Sequence, residues 1–320
     1  MNFDWKIIGQ DGALESLEAD IESGKPSHAY LFAGADSVGK FATAKRMACI
    51  LQCPSGGCGK CNVCKEIEKN YHADTLQILD GSSGSGLSGG EKIKIEEIRK
   101  CLEKLNMTKS CPYKVLLLQS AERLTPESAN ALLKTLEDPP RNVIFLLTTD
   151  RLKDVMTTIL SRVRIVRFKR LPDEDMHKLL KSYSPFIEDK KLNDICAFAM
   201  GRPGKALSLL DNRDLFNLYS KLYADMENFL DNPDRVEQFK YVAELVVASK
   251  EENGAIAVRE FLDVFQLVAR RKLMALVSGE KDALKIVKIT VILEEIQKGL
   301  ELLRRNVNNR LLLENLMLKI

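Results

Sequence analysis

The sequence predicts an α/β domain built on a parallel sheet, followed by an all-helical region. Continuous apolar runs, separated by helical patterns, occur in the first half of the chain. Such runs, without alternating polar residues, are typical of parallel strands that helices cover on both faces. From Pro172 onward only helical periodicity remains. The predicted fold class is therefore α/β plus all-α.

Composition places the chain among soluble globular proteins. Its 320 residues are enough for two or three domains, and 45% of them are hydrophobic. The 48 basic and 45 acidic residues leave a net charge of +3, too small for a polybasic nucleic-acid binder. No apolar run approaches the ~18 residues of a membrane span, and the N-terminus does not resemble a signal peptide. We expect a cytoplasmic protein with no membrane partner.

Helices and strands alternate in the first half of the chain. Short apolar runs bounded by turn residues predict the strands, and apolar residues at helical spacing predict the helices. Thr125 and Pro126 have the residue types expected at the N-cap and first position of a helix. The Gly- and Ser-rich stretch 81–90 is predicted to be a loop. The predicted strands are 29–33, 115–118, 143–147 and 164–168, and the predicted helices include 6–24, 41–51 and those beginning at Ile95 and Pro126.

A candidate phosphate-binding loop follows the first predicted strand. The segment from Gly34 to Phe41 reads GADSVGKF and matches G-x-x-x-x-G-K. In such a loop, glycines such as Gly34 and Gly39 let backbone N–H groups face phosphate oxygens, and Lys40 supplies positive charge. The Ser or Thr that normally ligates Mg²⁺ after the lysine is replaced by Phe41. The loop therefore keeps its phosphate cradle and lacks one magnesium ligand.

The magnesium site is also incomplete at the second predicted strand. In hydrolysing enzymes this strand ends in an acid that holds Mg²⁺, and a neighbouring acid orients the attacking water. Gln119 and Ser120 occupy these two positions, and Glu122, further along, is predicted to cap or solvate the loop. Magnesium-dependent ATP hydrolysis is therefore not expected. Nucleotide binding stays open, because Gly34, Gly39 and Lys40 are retained.

Four of the eight cysteines form a compact metal-binding pattern. Cys53, Cys58, Cys61 and Cys64 have the spacing C-x4-C-x2-C-x2-C, which can close a tetrahedral zinc site. An iron–sulfur cluster is the alternative, but the ferredoxin pattern needs a further Cys-Pro downstream, and Lys65 follows here instead. Four protein ligands leave no open position on the metal. We therefore predict a structural Zn²⁺ site.

Several segments together resemble the AAA+ clamp-loader subunits of bacterial DNA polymerase III, the group that contains the gamma/tau and delta-prime subunits. The resemblance covers essentially the whole chain and is weakest over 213–300. It implies an AAA+ domain over 1–171 with a zinc module near 53–64, a small helical lid over 172–212 and a helical collar, an oligomerisation domain, over 213–320. The segments that carry it are HAYLF (28–32), the phosphate loop, the four cysteines, SANALLKTLEDPP (128–140) and TILSR (158–162).

The resemblance also implies partners and a role for one arginine. The partners are gamma/tau and delta subunits in a hetero-pentamer, and through that complex a sliding clamp and primer-template DNA. Arg162, with Ser161, is similar to an arginine finger that acts on the ATP site of a neighbouring subunit. The replacements at Phe41, Gln119 and Ser120 favour the non-hydrolysing delta-prime type. So does Gly204, which stands where a nucleotide-sensing arginine is expected, although Arg202 is close by.

Three alternatives remain at the level of sequence. The chain could be an ATP-hydrolysing gamma-type motor subunit, against which Phe41, Gln119 and Ser120 argue. It could be a free-standing zinc nucleic-acid binder, but residues 213–320 contain 17 basic and 17 acidic side chains and show no basic excess. Arg162 could be an ordinary surface arginine.

Overall fold

The computed structural model describes residues 3–79, 92–231, 234–248, 254–279, 282–303 and 307–319. The predicted loop at 81–90 lies outside these ranges. The described residues form two compact units. The first contains residues 3–79, 92–187 and 201–205, and the second contains 188–200 and the described residues from 206 onward. The predicted domain boundaries at 171 and 212 stay predictions.

The first unit is built on five parallel strands. Their order in the sheet is β2-β3-β4-β1-β5, so the first strand of the sequence lies inside the sheet. The four predicted strands are confirmed, and β2 is an additional strand that the sequence analysis missed, because its four residues are only partly apolar and partly buried. The strands are β1 (Ala29–Ala33), β2 (Thr75–Ile78), β3 (Lys114–Leu118), β4 (Val143–Thr149) and β5 (Arg164–Arg167).

Helices connect the strands as the parallel arrangement requires. Thr125 caps its helix as predicted, since its Oγ1 accepts a hydrogen bond from the Ser128 N–H at 3.2 Å. The same helix ends at Glu137, ahead of two prolines that could not continue it. The helices of the first unit are α1 (Asp11–Glu22), α2 (Lys40–Gln52), α3 (Asn62–Glu68), α4 (Ile95–Leu105), α5 (Pro126–Glu137), α6 (Thr157–Leu160) and α7 (Asp173–Tyr183).

Each face of the sheet has its own hydrophobic core. Tyr30 and Phe32 of β1 pack on one face with residues of α2 such as Met47. Leu31 points to the other face, where it packs with α4 and α5 residues such as Leu132. Because both faces are buried, both sets of alternating side chains must be apolar. This explains the unalternating runs in the sequence and confirms the predicted α/β class.

The remaining described residues are helical, which confirms the second part of the predicted fold class. In the second unit, Phe198 contacts Phe216, Tyr219 and Tyr223 with ring centroids 5.7–6.0 Å apart. None of the helices described in either unit has the length and apolar character needed to cross a membrane. The helices from residue 188 onward are α8 (Asp189–Ala199), α9 (Pro203–Asp211), α10 (Arg213–Asp231), α11 (Arg235–Ala248), α12 (Gly254–Ser278), α13 (Ala283–Leu303) and α14 (Asn309–Met317).

Candidate functional site

The phosphate loop lies between β1 and α2, at the carboxyl edge of the sheet. Gly34 follows β1 directly, and a Cβ at this position would lie 2.6 Å from the carbonyl oxygen of Phe168. Gly39 precedes α2 with φ of +96°, a backbone conformation that favours glycine. Both glycines of the motif are therefore required by the backbone itself. The strand, loop and helix predicted around the motif are present.

Lys40 is the first residue of α2 and is almost completely buried. Its Nζ donates a hydrogen bond to the carbonyl oxygen of Ala35 at 2.5 Å and lies 2.7 Å from Oδ1 of Asp150. Asp150 directly follows β4, the parallel neighbour of β1, so both residues are at the same edge of the sheet. The charge of Lys40 is thus balanced within the protein. Asp150 was not predicted from the sequence, although an acid at the end of a neighbouring strand is a usable signal.

Neither Phe41 nor the nearby Thr43 supplies the missing magnesium hydroxyl. Phe41 is partly buried and packs against the core on the α2 face of the sheet. Thr43 is fully buried, and its Oγ1 donates to the carbonyl oxygen of Gly39 at 2.9 Å. That hydroxyl is therefore used inside the helix.

Gln119 and Ser120 follow β3 at the same edge of the sheet. The Gln119 N–H donates to the carbonyl oxygen of Ile78 at 2.9 Å, and Ser120 has a left-handed backbone with φ of +58°. The Ser120 N–H lies 3.3 Å from Oγ1 of Thr148 in β4. An amide and a hydroxyl therefore occupy the positions where carboxylates would hold magnesium and orient water.

Glu122 is placed differently from the sequence prediction. It lies in a short 3-10 turn, Ala121–Arg123, that packs against β4, so its side chain is half-buried and not fully solvated. Burial raises the pKa of the Glu122 carboxyl, and a hydrogen bond from Thr149 works in the opposite direction. The nearby charge of Asp150 also raises that pKa. Glu122 is thus a second acid close enough to Asp150 for the two charges to interact.

The four predicted cysteine ligands converge on one point. The Sγ atom of Cys53 lies 3.7 Å from Sγ of Cys58 and 3.6 Å from Sγ of Cys61, and all four sulfurs lie within 4.8 Å of one another. A tetrahedral site with Zn–S bonds of about 2.3 Å requires sulfurs about 3.8 Å apart. All four cysteines are free thiols. The donor set and its spacing therefore fit a zinc ion with four protein ligands.

Local structure brings these cysteines together. Cys53 ends α2 and Cys61 caps the start of α3, where its sulfur accepts a hydrogen bond from the Cys64 N–H. Between them, Gly57 has φ of +85°, and a Cβ there would lie 2.9 Å from Ile50. This glycine is a part of the module that the cysteine spacing alone does not indicate.

Backbone groups favour the thiolate form of two of these ligands. Burial alone would raise the pKa of Cys53, but hydrogen bonds from the backbone of Cys58, Ser55 and Gly57 lower it to about 6. Backbone hydrogen bonds from Lys60 and Cys61 lower the pKa of Cys58. Metal ions bind the thiolate, so both effects favour coordination.

Arg162 lies between α6 and β5 and makes three hydrogen bonds. Its Nη1 donates to the carbonyl oxygen of Thr158 at 2.9 Å and to Oγ of Ser161 at 3.0 Å. Its Nη2 donates to Oε1 of Glu137 at 2.7 Å. Ser161 in turn donates to the carbonyl oxygen of Thr158 at 3.0 Å. Ser161 and Arg162 are thus part of one network, together with Glu137, which the sequence analysis did not identify.

The structure places Arg162 at the edge of the sheet opposite the phosphate loop. β5 pairs with β1 in parallel, with Arg164 opposite Tyr30 and Arg167 opposite Ala33. Arg162 therefore precedes the amino ends of both strands, whereas the loop follows their carboxyl ends. The length of β1, at about 3.3 Å per residue, separates the two edges by about 13 Å. Arg162 and Lys40 are not brought together within this chain.

Comparison with known proteins identifies related sequences. The family model described as DNA polymerase III, delta subunit matches residues 9–172. The chain is 34% identical over 216 residues to the DNA polymerase III subunit gamma of Buchnera aphidicola subsp. Schizaphis graminum, covering 65% of this chain and 57% of the relative. It is 35% identical over 214 residues to the DNA polymerase III subunit tau of Escherichia coli (strain K12), covering 64% of this chain and 32% of the relative. The chain thus spans little more than half the length of the first relative and about a third of the second.

One solved structure resembles the chain over nearly its whole length. It is a DNA polymerase III, gamma subunit-related protein from Thermotoga maritima, with 23% sequence identity and a TM-score of 0.47. The match covers 96% of this chain and 97% of that protein.

Proposed function

We propose that this chain is a non-hydrolysing subunit of a bacterial clamp loader, of the delta-prime type. The chain belongs to the DNA polymerase III, delta subunit family. The observation that carries the proposal is the position of Arg162. It lies at the edge of the sheet opposite the chain's own phosphate loop, and the length of β1, about 13 Å, separates the two edges. An arginine in this position can reach a nucleotide only on another subunit.

The chain's own phosphate loop supports the first part of the proposal. Phe41 packs into the core, and Gln119 and Ser120 supply no carboxylate after β3. Phosphoryl transfer depends on groups that hold Mg²⁺ and orient the attacking water. The chain lacks the usual residues for both tasks, so it is proposed to hydrolyse no ATP.

Arginine chemistry supports the second part. A guanidinium that contacts the γ-phosphate of a neighbouring subunit stabilises the charge that spreads over the transferring oxygens, and such arginines accelerate hydrolysis by about 10³–10⁵ in other systems. Arg162 has donors on a planar group and is anchored on one side by Thr158, Ser161 and Glu137. It is therefore proposed to act as the arginine finger for an adjacent ATP site.

The zinc module and the helical unit have structural roles in this proposal. Four thiolates would hold Zn²⁺ and tie the end of α2 to the start of α3 without leaving an open catalytic position. The helical unit exposes large apolar side chains, including Met274, Leu284 and Val287. Where exposed apolar side chains form one contiguous patch, they are typical of protein interfaces. The proposed partners are gamma/tau and delta subunits in a hetero-pentamer that loads a sliding clamp on primer-template DNA.

The test is to replace Arg162 in a reconstituted loader that contains the gamma-type, delta-type and clamp proteins of the same organism. Arg162→Ala should leave assembly and zinc content unchanged and lower the ATPase rate that DNA and clamp stimulate. The loader contains several ATP sites, so the rate should fall without reaching zero. An unchanged rate in a fully assembled complex would contradict the proposal.

A gamma-type motor is the second candidate. The sequence relatives named above are gamma and tau subunits. Asp150 also places an acid beside Lys40, and the charge of Asp150 acts on Glu122. Steady ATP turnover by the isolated chain that disappears in Lys40→Ala would favour this candidate. Turnover that survives Lys40→Ala would come from a contaminating ATPase.

A further inference from the structure

We propose that Glu137 is the positioning residue of Arg162, and that its carboxylate orients the guanidinium toward the phosphate of the neighbouring subunit. This inference rests on the proposed function. Glu137 is the last residue of α5, and its Oε1 accepts a hydrogen bond from Nη2 of Arg162 at 2.7 Å. The two residues are 25 positions apart in sequence.

The hydrogen bonds of Arg162 leave one part of the guanidinium available. A guanidinium has five N–H donors in one plane. Both N–H groups of Nη1 are used by Thr158 and Ser161, and one of Nη2 is used by Glu137. The Nε–H and the second Nη2–H have no partner among the described residues. Two coplanar donors of this kind can hold a phosphate, and the other three bonds keep the plane from rotating.

Buried neighbours anchor the segments that carry the two residues. Leu136 precedes Glu137, and Ile159 lies three residues before Arg162; both are buried in the same core beneath the sheet. α5 packs against α6 at this point. Glu137 therefore presents its carboxylate from a fixed helix end. A flexible arginine side chain gains a defined direction from such a contact.

Stability alone does not account for a glutamate at this position. The side chains of Arg162 and Glu137 are 34% and 55% exposed, and exposed ion pairs contribute little to folding stability. A carboxylate at the carboxyl end of a helix is also disfavoured by the helix dipole. Glu137 thus does more for the orientation of Arg162 than for the stability of α5.

The experiment compares Glu137→Gln, Arg162→Ala and the double variant in the reconstituted loader. The glutamine keeps a hydrogen-bond acceptor and removes the charge. We expect Glu137→Gln to cause part of the loss in stimulated kcat that Arg162→Ala causes, with the KM for ATP, zinc content and assembly unchanged. Glu137→Asp should recover part of the rate. Asp175→Asn, which removes a carboxylate from the exposed Lys178 ion pair, is the matched control and should have no effect.

The double variant separates positioning from a structural role. If Glu137 acts only through Arg162, the double variant should be no slower than Arg162→Ala alone. If the rate losses of the two single variants multiply in the double variant, the inference is wrong. It is also wrong if Arg162→Ala lowers the ATPase rate and Glu137→Gln leaves that rate unchanged or raises it. If Arg162→Ala itself is unaffected, the proposed function fails and the inference fails with it.

Discussion

The ammonium group of Lys40 lies 2.7 Å from the carboxylate of Asp150, and only 6% of the lysine side chain is exposed. The phosphate-loop lysine is therefore already paired with an acid of the same chain. A phosphate that enters the loop has to share or displace this contact. Asp150 directly follows β4, and Lys40 begins α2 after the loop that follows β1, the parallel neighbour of β4, so the sheet brings the two residues to the same edge.

We predict that Asp150→Asn strengthens nucleotide binding. Removing the carboxylate frees the charge of Lys40 and removes a repulsion toward phosphate. A nearby charge typically changes the free energy of binding by about 1–3 kcal/mol, or the affinity by roughly 5- to 150-fold. Calorimetric titration of ATP without added Mg²⁺ measures this. Asp154→Asn, which removes a nearby exposed acid, is the control. Equal affinities for Asp150→Asn and the unmodified chain would show that Asp150 does not restrict the loop.

We predict that the four clustered cysteines hold one zinc ion. Their sulfurs are as close together as a tetrahedral Zn–S₄ site requires. Elemental analysis of protein purified without added metal should give close to one equivalent. Cys61→Ser should lose the metal and loosen the segment 53–64, whereas Cys196→Ser, outside the cluster, should keep it. Iron absorbance, or zinc that washes away easily, would contradict the prediction.

We predict that Glu122→Gln stabilises the protein at neutral pH. The pKa of Glu122 is raised in the folded state, mainly by burial, so ionisation of this carboxyl opposes folding above its unfolded pKa of about 4.5. The gain in the free energy of unfolding should be on the order of 1 kcal/mol at pH 7. It should shrink as the pH falls through the pKa of Glu122 in the folded state toward its pKa in the unfolded state. Urea unfolding at several pH values measures it.

Glu127 is the matched control for this experiment. Backbone hydrogen bonds in the first turn of α5 lower the pKa of its carboxyl. Glu127→Gln should therefore change stability in the opposite direction, with a small loss at pH 7 that disappears in acid. A gain in both variants would point to a general charge effect and would contradict the assignment to burial.

We predict that Arg162→Lys is nearly as slow as Arg162→Ala in the reconstituted loader. An ammonium has no planar fork, so it cannot bond to Thr158, Ser161 and Glu137 while also presenting two donors to a phosphate. The stimulated ATPase and the rate of clamp loading are the measurements. A lysine variant with the unmodified rate would mean that positive charge alone is sufficient at this position.

Features that depend on neighbouring residues in sequence were predictable. Local rules of backbone geometry and side-chain period account for the four apolar strands, the Thr125 cap, the glycines of the phosphate loop and the spacing of the cysteines. β2 was not predicted, because it has only four residues and these are partly buried, which leaves a weak local signal in the sequence. The partial burial of Glu122 was not predicted, since it depends on a turn that packs against β4.

The sequence by itself determined that a G-x-x-x-x-G-K segment follows the first strand without a Ser or Thr after its lysine, that four thiols are spaced for a metal, and that an arginine follows a short helical segment. Only the tertiary structure decided which acids meet Lys40 and Arg162, and that these two cations occupy opposite edges of the sheet. The physical reason is the strand order: β1 lies between β4 and β5, so parallel pairing brings the ends of distant segments together, and no local pattern records that order.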